Sequence, residues 1–132
     1  MLSDFSFQET DWEVGFDFKF NNSNNGFGIA PTGRSTPYHH IMWGSSLSNI
    51  SFYIGKASGG ETAYRFGSPT TNTYYSVRIV KDGNTLSLYV NDVLQGSYTA
   101  LDYMSSDTFG FYWLEWQSGN TIYAKNIYAK AL

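Results

Sequence analysis

Residues 11 to 20 read Asp-Trp-Glu-Val-Gly-Phe-Asp-Phe-Lys-Phe, with Trp12, Val14, Phe16, Phe18 and Phe20 alternating against Asp11, Glu13, Asp17 and Lys19. A period of two places every second side chain on one face, so this stretch predicts a strand with one buried face. The run Asn21 to Gly26 ends it, because short amide side chains bond nearby backbone and tolerate left-handed conformations. Comparable runs rich in β-branched and aromatic residues predict strands at 27–30, 38–43, 50–54, 62–66, 74–81, 85–90, 94–98, 108–117 and 121–129. No segment sustains a helical period, and no internal repeat is visible. Pro31, Pro37 and Pro69 all sit in Gly, Ser or Thr surroundings that read as loops. About ten short antiparallel strands without a helix point to an all-β fold of two packed sheets, a sandwich or jelly roll.

The turn at Asp82-Gly83 allows a register to be written. A two-residue mirror-image turn there pairs Ile79 with Leu86, Val77 with Leu88 and Tyr75 with Val90, which gathers the apolar residues on one face. Ser76, Arg78, Ser87 and Tyr89 fall on the other face, as a sheet with one buried side requires. After Val90, a three-residue loop is expected, because it sets Leu94 opposite Val90 and Tyr98 opposite Leu86.

Composition narrows the chemistry. At 132 residues the chain is expected to form one domain spanning residues 1–132, with a core large enough to need no staples. It contains 0 Cys, which excludes disulfides and thiolate-held zinc or iron-sulfur clusters. Aromatic residues reach 19% while charged residues fall to 14%, a mixture suited to strands. The net charge of −3, without any basic run, gives no footprint for nucleic acid. No export leader or membrane-length apolar stretch is read, so a soluble chain without membrane insertion is expected.

The stretch from Tyr75 to Ser97, with its Lys81-Asp82-Gly83-Asn84 and Asn91-Asp92 turns, resembles the central hairpins of concanavalin A-like, laminin G-type jelly rolls. The ending Ile127-Tyr128-Ala129-Lys130-Ala131-Leu132 is similar to their last strand. The likeness covers 74–132 well and the first half by strand pattern alone. It departs at Asp92, where such domains usually carry Gly, a difference that bears on the turn. The resemblance implies a sugar-binding module, lectin, glycan-active enzyme or adhesion domain, including small modules of bacterial enzymes and of bacteriophage tail proteins. Fold does not choose among these.

Glycoside hydrolysis normally needs two carboxyl groups across the scissile bond. Glycosidases of this superfamily carry alternating carboxylates on one strand, and the nearest counterpart here is Asp11, Glu13 and Asp17. These read as the solvated face of an amphipathic strand. Glu115, between Leu114 and Trp116, has no partner on its own strand. His39 and His40 are adjacent, so on a strand they face opposite ways and cannot chelate one metal together. Asn21 to Asn25, Asp92, Asp102 and Asp107 offer oxygens of the kind calcium takes but are also ordinary turn formers, so no cofactor is assigned.

Binding remains. Sugar C–H faces stack on aromatic rings, while hydroxyls take planar polar partners, and the chain is rich in both. In 50–54 the apolar Ile50, Phe52 and Ile54 point inward, which turns Tyr53 and Ser51 outward. In 111–117 a buried lone carboxylate is disfavoured, so Glu115, Trp113 and Gln117 are expected outward and Tyr112, Leu114 and Trp116 in the core. Trp43, Arg65 and one of His39 or His40 complete the expected site from neighbouring strands. The expectation is a noncatalytic carbohydrate-binding module, extracellular or virion-associated and part of a larger protein or assembly, that recognises a bacterial cell-wall or other polysaccharide. A structural or protein-interaction jelly roll is the alternative, and a glycoside hydrolase a third reading.

Overall fold

The computed structural model describes residues 4–6, 11–20, 25–31, 39–43, 50–55, 61–67, 70–99, 108–115 and 123–132. Eleven strands are defined among them: β1 (Asp4–Ser6), β2 (Trp12–Lys19), β3 (Asn25–Pro31), β4 (His39–Trp43), β5 (Ile50–Gly55), β6 (Glu61–Phe66), β7 (Tyr74–Asp82), β8 (Thr85–Val90), β9 (Val93–Thr99), β10 (Thr108–Glu115) and β11 (Tyr123–Ala131). They form a six-stranded sheet in the order β1-β10-β3-β4-β5-β6 and a five-stranded sheet in the order β11-β2-β7-β8-β9. All pairings are antiparallel. No helix occurs among the described residues, so the expected all-β sandwich is what the chain forms.

Alternation on β2 works as its pattern requires: Trp12, Val14, Phe16, Phe18 and the following Phe20 are buried. Across from them the inner face of the other sheet supplies Phe27, Ile29, Ile41, Phe52, Ile54, Phe109 and Phe111. Phenylalanine rings knit the layers together, with Phe16 against Phe27 at 4.9 Å and Trp12 against Phe109 at 5.4 Å between centroids. Such tilted and edge-on contacts are the arrangements that ring quadrupoles prefer. One margin of the sandwich is closed by Tyr64, whose ring lies over Gly96 and whose hydroxyl donates to the Ser97 carbonyl at 2.6 Å.

Both central turns differ in detail from expectation. Asp82 pairs with Thr85, Ile79 with Leu88 and Val77 with Val90, so the two-residue turn is Gly83-Asn84. The left-handed φ of +58° falls at Gly83, the first central position, where a mirror-image turn suits glycine. The shift moves pairing by an even number of residues, so the buried face is unchanged. At the next turn Val90 pairs with Val93, and Asn91 and Asp92 both take positive φ, 51° and 64°. The loop is therefore a tight two-residue turn, not the three-residue loop expected. A register shift between Leu88 and Tyr89 follows, after which Leu86 faces Tyr98 as expected. Asp92 thus performs in a left-handed turn position, which Asp tolerates better than most side chains.

Candidate functional site

Register across the six-stranded sheet defines what shares its outer face, because directly paired residues in adjacent strands project on the same side. One row runs Tyr112, Gly28, His40 and Tyr53 across β10, β3, β4 and β5. The next joins Gly26 to Ser51 and Arg65 through the backbone of β4. Glycines on β3 thus separate Tyr112 from His40, about two strand spacings or roughly 10 Å. A Cβ on Gly28 would fall on the His39 carbonyl and the His40 Cα, so β3 and β4 approach each other here in a way that only glycine permits.

His40 and Tyr53 stack, with ring centroids 5.1 Å apart and planes 15° from parallel. His40 is buried and Tyr53 half-buried, so the stack presents the tyrosine toward solvent. Ser51 is buried, and its Oγ has no hydrogen-bond partner among the described residues. Arg65, its register partner, is exposed. An aromatic stack, an unused buried hydroxyl and an exposed guanidinium therefore lie on adjacent rows of one face.

The residues expected to form the site divide. Tyr53, His40 and Arg65 share the outer face, whereas His39 is fully buried in a row with Ile29 and Ile54 on the core side. Trp113 does not share their face. It pairs with Phe27 and lies two residues beyond Phe111, on the inner parity, while Tyr112 takes the outer one. The parity of β10 is thus the reverse of that expected, although the exposures are as expected, with Trp113 exposed and Tyr112 buried. The physical reason is visible at Trp113, which is 46% exposed despite its inner parity: the inner face opens to solvent at this end of the strand. Glu115 pairs with Asn25, which pairs with Trp43, so these backbone positions form a row alternate to that of Ser51 and Arg65. Gln117 and Trp116 lie outside the described residues, as do Asn21 to Asn24, Asp102 and Asp107. Tyr112 was legible as an outward residue from Gly110, since a strand reading Phe109-Gly110-Phe111 buries its phenylalanines.

The carboxylates of β2 all have partners. Asp11 accepts from the Gly83 amide at 2.8 Å and from Lys81 at 3.2 Å, and these contacts hold its pKa below the usual carboxylate value. Glu13 was expected in solvent but is 7% exposed. It accepts from the Tyr128 hydroxyl at 2.7 Å, Arg78 at 3.0 Å and Lys130 at 3.3 Å. Burial alone would raise its pKa, yet the hydrogen bonds from Tyr128, Arg78 and Lys130 together outweigh that and lower it. Burial and the bond to Glu13 in turn push Tyr128 up to about 12. Asp17 accepts from the Asn126 amide at 2.7 Å. No group of three or more His, Asp or Glu able to hold a metal occurs among the described residues.

No family model and no curated protein sequence matches this chain. Solved structures do. Sheep galectin-11, in complex with glycerol, superposes with a TM-score of 0.66 at 11% identity over 98% of this chain and 96% of its own. A marine alginate lyase from Zobellia galactanivorans gives 0.56 at 11% identity, and the Bacillus licheniformis beta-glucanase 0.56 at 17%. This chain spans 65% of the length of each of those two enzymes. At such identities the likeness shows the fold: an antiparallel jelly-roll β-sandwich of the concanavalin A-like type.

Proposed function

We propose that this chain is a noncatalytic carbohydrate-binding module that holds its ligand on the outer face of the six-stranded sheet. The observation that carries this reading is the His40–Tyr53 stack one row from the exposed Arg65. A pyranose needs an apolar platform for its C–H face and directed donors for its hydroxyls, and these residues offer both within one strand spacing. Likeness to galectin-11 supports a lectin-like role. Likeness to a lyase and a glucanase keeps polysaccharide as the ligand class while raising catalysis as the rival.

Against catalysis stands the engagement of Asp11, Glu13 and Asp17, each bound by neighbours and on the other sheet from the stack. The wider setting we propose is extracellular or virion-associated, as a module of a larger protein such as a bacteriophage tail adhesin or a secreted polysaccharide-active enzyme. Glycan-array screening followed by titration calorimetry tests the site. Tyr53→Ala should weaken binding by roughly tenfold, on the scale of one aromatic stacking contact of about 1 to 3 kcal/mol. Arg65→Gln should weaken it as well. Undiminished binding in both variants would move the site elsewhere. Glycan turnover abolished by Glu115→Gln would replace the proposal with a glycosidase.

A further inference from the structure

The outer face of the five-stranded sheet carries a second constellation, unrelated to the first. Where β11, β2 and β7 lie side by side, Tyr123 pairs with Lys19 and Lys19 with Tyr74, giving a row Tyr-Lys-Tyr across three strands. The Lys19 ammonium sits 4.2 Å from the Tyr123 ring centroid and 5.1 Å from that of Tyr74. From the next row Lys125 reaches the same Tyr74 ring at 4.0 Å. Two cations thus converge on one aromatic ring.

Elsewhere cations hold carboxylates: Arg78 and Lys130 hold Glu13, and Lys81 holds Asp11. Among the described residues, Lys19 and Lys125 hold only tyrosine rings. Asp17 is the backbone partner of Lys125, but its carboxylate is taken by the Asn126 amide at 2.7 Å instead. Asn126 reaches it from a left-handed backbone position, φ 53°, within the β11 irregularity between Lys125 and Tyr128. The irregularity therefore supplies a neutral partner to Asp17, and among the described residues both ammoniums keep free N–H donors. Their mutual repulsion acts within about a Debye length, roughly 8 to 10 Å, and an anion placed between them would relieve it.

We infer that this end of the sheet is a second ligand site, one that takes a uronic acid unit of a polysaccharide. Tyr123, 39% exposed, offers ring surface for the sugar's C–H face, while Lys19 and Lys125 receive the carboxylate. A bare anion would use the ammoniums alone; the row of tyrosines selects an anion carried on a ring. The site lies on the opposite sheet from Tyr53, so it does not depend on the function proposed above.

The test is titration calorimetry of the whole chain with a galacturonic acid oligomer, a neutral galactose oligomer of equal length and dextran sulfate. The uronate should bind, and its affinity should fall several-fold as salt is raised from 0.05 to 0.5 M. Lys19→Gln with Lys125→Gln should cost at least tenfold, and Lys19→Arg with Lys125→Arg should restore most of it. Tyr53→Ala should leave uronate binding unchanged while weakening neutral glycans. Amide chemical shifts at Tyr74 and Tyr123 should move on uronate addition, a readout independent of variant folding. Absence of uronate binding, loss through Tyr53→Ala in place of the lysine pair, or neutral oligomer binding equally well at these residues overturns the inference. Dextran sulfate matching the uronate there reduces the patch to a plain anion site and overturns the assignment to a sugar.

Discussion

Gly15 is the position where one added methyl group should do the most informative damage. A Cβ there would meet Cε1, Cζ and the hydroxyl oxygen of Tyr128, whose ring lies flat across the strand. The ring would have to lift, and lifting breaks the 2.7 Å bond from the Tyr128 hydroxyl to Glu13. Hydrogen bonds to charged groups contribute about 1.5 to 3 kcal/mol, and solvent at Tyr128, itself 37% exposed, argues for the lower half of that range. Arg78 and Lys130 remain on Glu13, which limits the loss further. The expected cost of Gly15→Ala is about 2 kcal/mol once lost ring packing is added. With an unfolding entropy of roughly 2.1 cal/mol/K per residue, that lowers the melting temperature by about 7 °C.

A double-mutant cycle makes the reasoning sharp. Once Tyr128→Ala removes the ring, the three atoms nearest the methyl are gone, and replacing a strand glycine by alanine should then stabilise by about 0.5 kcal/mol through lost chain entropy of the unfolded state. The same substitution changes sign between the two backgrounds. Calorimetric melts of the four proteins at neutral pH measure it. Additive effects, with Gly15→Ala equally harmful when Tyr128 is absent, would refute the claim that glycine is there to admit the ring.

Three other outcomes are expected. Glu13, with its pKa lowered by folding, contributes stability that is fully present above the ordinary carboxylate pKa and lost as pH falls from there through the lowered folded-state value, so Glu13→Gln should flatten the acid limb of a stability-pH curve; an unchanged limb contradicts this. Gly83→Val should destabilise by roughly 1 to 2 kcal/mol, because a β-branched side chain is strained at φ +58°, and an unaltered melting temperature would count against the turn. Leu88→Ala, at a fully buried site, should cost about 2 to 5 kcal/mol, and Trp113→Ala, 46% exposed, distinctly less; the reverse ordering in chemical denaturation contradicts the burial described.

How much of this was legible in the chain depends on the range of the interaction. The β2 alternation fixed its own buried face because nothing but parity was needed. The turn at Asp82-Gly83-Asn84 could be read in two ways that differ by an even shift, and hydrophobic alternation is blind to that difference. Glycine at 83 suits both; what separates them is Asp82, which pairs with Thr85 and lacks the positive φ that the first reading needs. On β10 the orientation followed from a premise about Glu115, that a carboxylate must avoid the inner face, while Phe109, Gly110 and Phe111 argued the opposite. The phenylalanines set the parity, and Trp113 shares it while meeting solvent. The pairing of His40 with Tyr53 and the row joining Tyr123, Lys19 and Tyr74 depend on which strands become neighbours. In the five-stranded sheet β11 joins β2 from the far end of the sequence, a pairing no local pattern encodes.

Residue type also says little about which side chains remain available to a ligand. Asp11, Glu13 and Asp17 have the alternation that suggests chemistry, yet each is bound by a neighbour from another strand, and a ligand would have to displace Lys81, Arg78, Tyr128, Lys130 or Asn126 to use them. Displacement costs the contacts already made, so a partnered group is a poor receptor however suitable its chemistry. Lys19 and Lys125 are ordinary surface residues by composition, but with Asp17 bonded to Asn126 they lie against aromatic rings and form no salt bridge among the described residues. Arg65, exposed on the other sheet, stands in a similar position. Availability thus comes from how the strands pair their charges, and on both outer faces it selects an aromatic ring beside an uncommitted polar group, the combination a sugar requires.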